Sequence, residues 1–316
     1  MNPFEQKIIA LVWDFDKTLI SGYMQEPLFR RYQINGDTFW KEVNQLGAYY
    51  AKQGIHINRD TIYLNHILTY VREGLLKGLS NRILRECGTE LGFYPGLPEF
   101  LPKLCEFIGN QEKYKAIGIR VEHYVVSTGF AETIRGSVIA PYVQGIFGCE
   151  FIETPARPGY LERNEEPESG EISQIAIALD NTSKTRYLFE INKGSNKYEA
   201  IDVNSTMEPK HRRIPFENMI YIADGPSDVP AFSILNQFGG TTYAIYPAGD
   251  RKALKQVDAL RRDGRVQMFG EADYREESHS WMWLMEQVER IAEQLLKKHQ
   301  EEVRRSASVP PTHLSV

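Results

Sequence analysis

The sequence predicts an α/β protein: a doubly wound parallel sheet (Rossmann-like) with an inserted α-helical domain. Three observations lead there. Short apolar runs rich in β-branched and aromatic residues recur along the chain, helical patterns lie between several of them, and one long stretch after the first run is helical throughout. Strands alternating with helices imply parallel pairing with helices on both faces.

The first run is IIALVWDF (Ile8 to Phe15). From Ser21 to Tyr94 the pattern is helical. Asp37 is expected to cap FWKEVNQLGAYYAKQG, Asp60 to cap TIYLNHILTYVREGLL, and Ser80 to cap NRILRECGTELG. Tyr63, Ile67, Tyr70, Val71 and Gly74 share one helical face. YPGLPEFL (Tyr94 to Leu101) returns the chain to the α/β body, where HYVVS (His123 to Ser127) and GIFGCEFI (Gly145 to Ile152) read as strands. Arg157 to Gly170 is polar and turn-rich, an exposed loop. SQIAIAL (Ser173 to Leu179) alternates as a strand does, and TRYLFEINKG (Thr185 to Gly194) reads as a helix with Gly194 at its C-cap. MIYIA (Met219 to Ala223) and TYAIYP (Thr242 to Pro247) are further strands. Trp281, Leu284, Val288, Ile291 and Leu295 mark an amphipathic helix that docks on its own core. The expected organisation is an α/β core of residues 1–20 and 95–300, an inserted helical domain of residues 21–94, and a disordered tail of residues 301–316 poor in core-forming side chains.

Composition narrows the function. With 37 basic against 42 acidic residues the net charge is −5, so no basic excess points to nucleic acid. The one small patch, KHRR (Lys210 to Arg213), reads as a solvated loop. Cys87, Cys105 and Cys149 are too widely spaced for a zinc site and do not form a disulfide framework. No run approaches the ~20 apolar residues of a membrane span, and the N-terminus lacks the pattern of a signal peptide. A soluble, cytoplasmic protein is expected. Two N-x-[ST] triplets, at Asn181 and Asn204, are then chance matches, and the histidines show no ligand spacing.

Chemistry is concentrated at the strand ends. In doubly wound folds ligands bind beyond the carboxyl ends of the strands. There stand Asp14-Phe15-Asp16-Lys17-Thr18, Ser127-Thr128-Gly129 and Asp224-Gly225-Pro226-Ser227-Asp228. Four acids brought together repel, and a hard divalent cation with oxygen ligands answers that charge. Magnesium suits it, and magnesium is often shared with a phosphate.

D-F-D-K-T, V-V-S-T-G and A-D-G-P-S-D, in that order and each closing a predicted strand, resemble the motifs of the haloacid dehalogenase-like (HAD) hydrolase superfamily. The closest resemblance is to its phosphoserine phosphatase-like branch, which carries a helical C1-type cap between the first and second motifs. The resemblance covers the chain to about Gly249. It implies a magnesium-dependent phosphohydrolase acting on a small phosphorylated substrate. Asp14 would be the nucleophile, forming an aspartyl-phosphate, and Asp16 the general acid and base. Thr18 would support the turn, while Ser127, Thr128 and Gly129 would serve the phosphoryl oxygens. Asp14, Asp224, Asp228 and the Asp16 carbonyl would hold the metal. Lys184 is the choice for the lysine that neutralises phosphate and nucleophile, with Lys193, Lys197 and Lys210 as rivals. Tyr23, Met24, Glu26 and Arg30 follow the first motif into the cap and are candidate specificity residues. Two alternatives remain open: a phosphotransferase on the same intermediate, and a non-catalytic phosphate-binding or regulatory protein on this scaffold.

Overall fold

The computed structural model describes residues 6–166 and 168–308. In chain order its strands are β1 (Ile8–Trp13), β2 (Arg120–Phe130), β3 (Gly145–Ile152), β4 (Gln174–Ile177), β5 (Met219–Ala223), β6 (Thr241–Tyr246) and β7 (Met268–Glu271). They form one sheet in the order β4-β3-β2-β1-β5-β6-β7. Every neighbouring pair is parallel except β3 and β4, which are antiparallel. All six side chains of β1 are apolar and buried, as befits a central strand covered on both faces.

Between β1 and β2 run α1 (Glu26–Arg31), α2 (Gly36–Ala51), α3 (Ile62–Arg72), α4 (Asn81–Gly88), α5 (Phe100–Gly109) and α6 (Glu112–Lys115). Then α7 (Ala131–Arg135) follows β2, α8 (Tyr160–Arg163) follows β3, and α9 (Lys184–Lys193) follows β4. The remaining helices are α10 (Val229–Gln237), α11 (Arg251–Arg262) and α12 (His279–Ser308). The expected α/β class is what the chain adopts, a mostly parallel seven-stranded sheet flanked by helices. β7 was not foreseen; its four residues, MFGE, carry too little alternation to be read as a strand.

The chain leaves β1 for the helical stretch and returns from it side by side. Ile20 bridges Phe93, and the Tyr94 N–H donates to the Leu19 carbonyl. Further along, α4 packs on α7 backbone to backbone. A Cβ on Gly88 would lie 2.1 Å from the Thr133 carbonyl oxygen, and one on Gly136 would lie 1.8 Å from that of Arg85. Only glycines permit that approach.

Several local expectations are corrected. Asn35, not Asp37, caps α2, its side chain accepting from Thr38 N; Asp37 lies inside the first turn. Thr61, not Asp60, holds the N-cap position of α3, with no side-chain bond. Ser80 does cap α4, accepting from Ile83 N. Tyr63, Ile67, Tyr70 and Val71 are buried together, but α3 ends before Gly74, which turns outward at a φ of +79°. α9 ends at Gly194 in the left-handed region, as read. Leu284, Val288, Ile291 and Leu295 are buried, so α12 docks on its own core. That helix continues through residues 301–308, against the expected tail, because KKHQEEVRR is rich in straight-chain helix formers. Residues 309–316 lie outside the described ones. No helix among the described residues is long and apolar enough to cross a membrane.

The basic patch is not all solvated. Arg213 is buried and forms a bidentate pair with Glu122 at 2.6 and 2.8 Å, and the Tyr124 hydroxyl donates to the same carboxylate at 2.5 Å. Removing one partner of such a pair strands the other charge. Arg213→Met is therefore expected to cost about 3–5 kcal/mol of unfolding free energy in urea titrations. Adding Glu122→Leu should recover part of that loss; a double variant weaker than the single one would contradict this account of the pair.

Candidate active site

Strand register builds the site. Trp13 is the partner of Val125 on β2 and of Ile222 on β5. Ser127 and Asp224 therefore stand two residues beyond Trp13's partners, on either side of the turn that begins at Asp14. The Asp14 N–H still donates to the Ile222 carbonyl, holding the turn against β5. Lys17 completes the turn in the left-handed region at φ 58°, and Thr18 donates from its hydroxyl to Asp14 Oδ2 at 3.1 Å.

The centre is a buried ammonium. Lys184 Nζ donates to Asp14 Oδ1 and to Asp228 Oδ1, each at 2.6 Å, and the side chain is 2% exposed. Asp180 sets this lysine in place. Its Oδ1 accepts from the Thr182 and Ser183 N–H groups, its carbonyl accepts from Lys184 N, and Asn58 Nδ2 donates to its Oδ2 at 2.9 Å. The rival lysines are elsewhere. Lys193 donates to the Val203 and Ser205 carbonyls, Lys197 to the Gln144 carbonyl, and Lys210 pairs with Glu208.

Asp228 is wholly buried and fully partnered. Besides Lys184, the Tyr221 hydroxyl donates to Oδ1 at 2.6 Å and the Ser227 hydroxyl to Oδ2 at 2.7 Å. Neither residue was singled out from sequence. Tyr221 sits in the apolar run MIYIA and reads as core; the only signal was a hydroxyl in a central strand just before an acidic turn.

Asp14, Asp224 and Asp228 each offer a carboxylate oxygen within 4.8 Å of the others. Burial, followed by neighbouring charge, pushes Asp14, Asp224 and Asp16 up. The Asp14 carboxyl rises to about 6, with Asp228 adding to burial and Lys184 opposing it. Asp224 rises to about 7 through burial and the charges of Asp14 and Asp228. Asp16 is raised well above the carboxylate range, first by burial and then by Asp14. Its Oδ1 accepts from Met24 N at 3.0 Å, leaving Oδ2 for a proton. Four carboxylates face the two ammonium groups of Lys184 and Lys17. Oxygen donors in that excess fit a hard divalent cation.

On the neighbouring strand, Ser127 is buried and its Oγ accepts from Gly129 N at 3.0 Å, so the Gly129 N–H is already engaged. The Thr128 carbonyl accepts from the Tyr63 hydroxyl at 2.6 Å. Gly129 makes room for Met24, whose Cε would lie 2.3 Å from any Cβ there, and Met24 Sδ accepts from Phe130 N. Tyr23 accepts a hydrogen bond from Lys17 Nζ. Glu26 and Arg30 are turned to other partners: Glu26 accepts from Tyr23 N, and Arg30 pairs with Glu90 at the surface.

This arrangement ranks the partners of Asp228. Tyr221→Phe removes one bond to a charged group and should cost about 1.5–3 kcal/mol. Lys184→Met leaves two buried acids facing each other and should cost more, about 3–5 kcal/mol. Thermal and denaturant unfolding check the order, and a reversed order would contradict the central role of Lys184.

No protein-family model matches the chain. Among solved structures, a HAD-family hydrolase from Salmonella enterica subsp. enterica serovar Typhi is similar at a TM-score of 0.48 and 17% identity, over 83% of this chain and 66% of that one. A phosphoserine phosphatase in its apo form is similar at a TM-score of 0.48 and 15% identity, over 85% and 97%. In sequence, an uncharacterized protein of Borreliella burgdorferi is 41% identical over 293 residues, 91% of this chain and 99% of that one. With that identity over nearly the whole of both, the chain belongs to one family with the Borreliella burgdorferi protein.

Proposed function

We propose that the chain is a HAD-like, magnesium-dependent phosphohydrolase that cleaves a small phosphomonoester through an aspartyl-phosphate on Asp14. The observation that carries this reading is Lys184 Nζ, buried at 2.6 Å from both Asp14 and Asp228 at the end of the central strand. The three ordered motifs and their convergence at one sheet edge support it. In this reading residues 1–20 and 95–300 are the catalytic core and residues 21–94 the cap.

Asp14 is held for attack by two donors, Thr18 Oγ1 on one oxygen and Lys184 Nζ on the other. As an Asp14 oxygen bonds to phosphorus, the bond to the leaving oxygen breaks, and that oxygen takes the proton from Asp16. Burial and neighbouring charge keep Asp16 protonated for this step. A water then attacks the phosphorus, gives its proton back to Asp16, and releases phosphate from Asp14. Ser127, with the nearby backbone, and Lys184 would hold phosphoryl oxygens. Magnesium held by Asp14, Asp224, Asp228 and the Asp16 carbonyl would neutralise the acids and the transferring phosphoryl charge.

Phosphate release from a panel of phosphorylated metabolites, with magnesium, tests the reading. Asp14→Asn is expected to abolish release, and Asp16→Ala to lower it at least about a hundredfold. Undiminished release from Asp14→Asn would contradict the mechanism.

The acid cluster also sets a pH dependence. Asp14 and Asp224 have folded-state values above their ordinary one, so the native state binds these protons more tightly than the unfolded chain does. Their contribution favours folding at low pH and is lost as pH rises through about 6 to 7. Magnesium should compensate that loss, so the rise in melting temperature on adding it is expected to be larger at about pH 8 than at about pH 5. Equal shifts would contradict binding at these carboxylates.

A further inference from the structure

A chain of aromatic rings ties together the two turns that carry the candidate catalytic residues. At one end the Tyr63 hydroxyl donates to the carbonyl of Thr128, the residue after Ser127. The Tyr63 and Trp40 rings lie 5.7 Å apart, and the Trp40 and Tyr23 rings 6.1 Å apart. At the other end Lys17, between Asp16 and Thr18, donates to the Tyr23 hydroxyl at 2.7 Å and sits 4.2 Å from the ring centre.

The rings thus run from the Ser127 turn to the Asp16 turn, and Asp16 is the group proposed to protonate the leaving oxygen. The ring furthest along is also the most open: Tyr23 is 43% exposed, Trp40 is half-buried and Tyr63 is buried. Glu26 accepts from Tyr23 N, Arg30 pairs with Glu90, and Lys17 is held by Tyr23. Lys17 lies over the Tyr23 ring, Trp40 also packs on Phe29 and Phe39, and Tyr63 packs on Phe130, so the open ring surface belongs to Tyr23 and the exposed part of Trp40.

We propose that Tyr23, Trp40 and Tyr63 form the recognition wall for the alcohol portion of the substrate, selecting phosphomonoesters whose leaving group carries a neutral, planar ring. This rests on the phosphohydrolase reading. Offset and edge-to-face contacts reward planarity, and a saturated ring of like size gains only burial.

Benzyl phosphate and cyclohexylmethyl phosphate separate these effects, since both release a primary alcohol of nearly the same size. The wild type is expected to favour the benzyl ester in kcat/KM by about fivefold or more. Trp40→Leu and Tyr23→Ala should each bring the ratio toward unity, while Trp40→Phe retains most of it. Because the ratio is measured within one protein, a smaller folded fraction cancels. Equal rates for the two esters would overturn the recognition wall and leave the phosphohydrolase reading standing. If neither ester is cleaved, calorimetry with benzylphosphonate and cyclohexylmethylphosphonate decides. Tighter benzyl binding that Trp40→Leu removes would support the wall; equal or absent binding would overturn it.

Discussion

One buried ammonium holds this structure's chemistry together. Lys184 Nζ lies between Asp14 at the end of β1 and Asp228 beyond β5, 170 and 44 residues away in the chain. An isolated charge at such depth is unstable. The lysine is tolerable there because two carboxylates face it, and each carboxylate is tolerable because the lysine faces it. The start of α9, the Asp180 turn that sets it and the Tyr221 hydroxyl on β5 all serve that contact. The cost of assembling so many charges is spread over the fold.

The balance is nevertheless incomplete. Asp14, Asp16, Asp224 and Asp228 outnumber the ammonium groups acting on them, and burial, together with that excess, raises Asp14, Asp16 and Asp224. A site with spare negative charge and oxygen ligands is suited to meet positive charge from outside. A site in which lysine faces one acid, Asp14, and not its neighbour Asp16 is suited to divide labour between attack and proton transfer. Both features come from the same crowding.

Much of this was legible in the sequence, and the reason is physical. β1 and β5 are short, continuous apolar runs whose ends abut acidic turns, so strand and site were announced by the same residues. Lys184 was legible because it opens a helix in the right segment, though only the folded chain separates it from Lys193, Lys197 and Lys210. Other features depend on contacts between distant residues. Tyr221 looked like core, Arg213 looked like a solvated loop, and β7 was too short to alternate. The N-caps of α2 and α3 lay a residue or two from where Asp37 and Asp60 suggested, since several polar residues there compete for the position.

The most direct measurement asks which atom carries the phosphoryl group. The protein is mixed with a turned-over phosphomonoester and magnesium, quenched in acid within milliseconds, reduced with borohydride and digested for mass spectrometry. An acyl phosphate on Asp14 is reduced to homoserine at that position, and this account predicts homoserine at position 14 and not at position 16. Phosphate release with no homoserine at either position, or homoserine at 16 in place of 14, would contradict it.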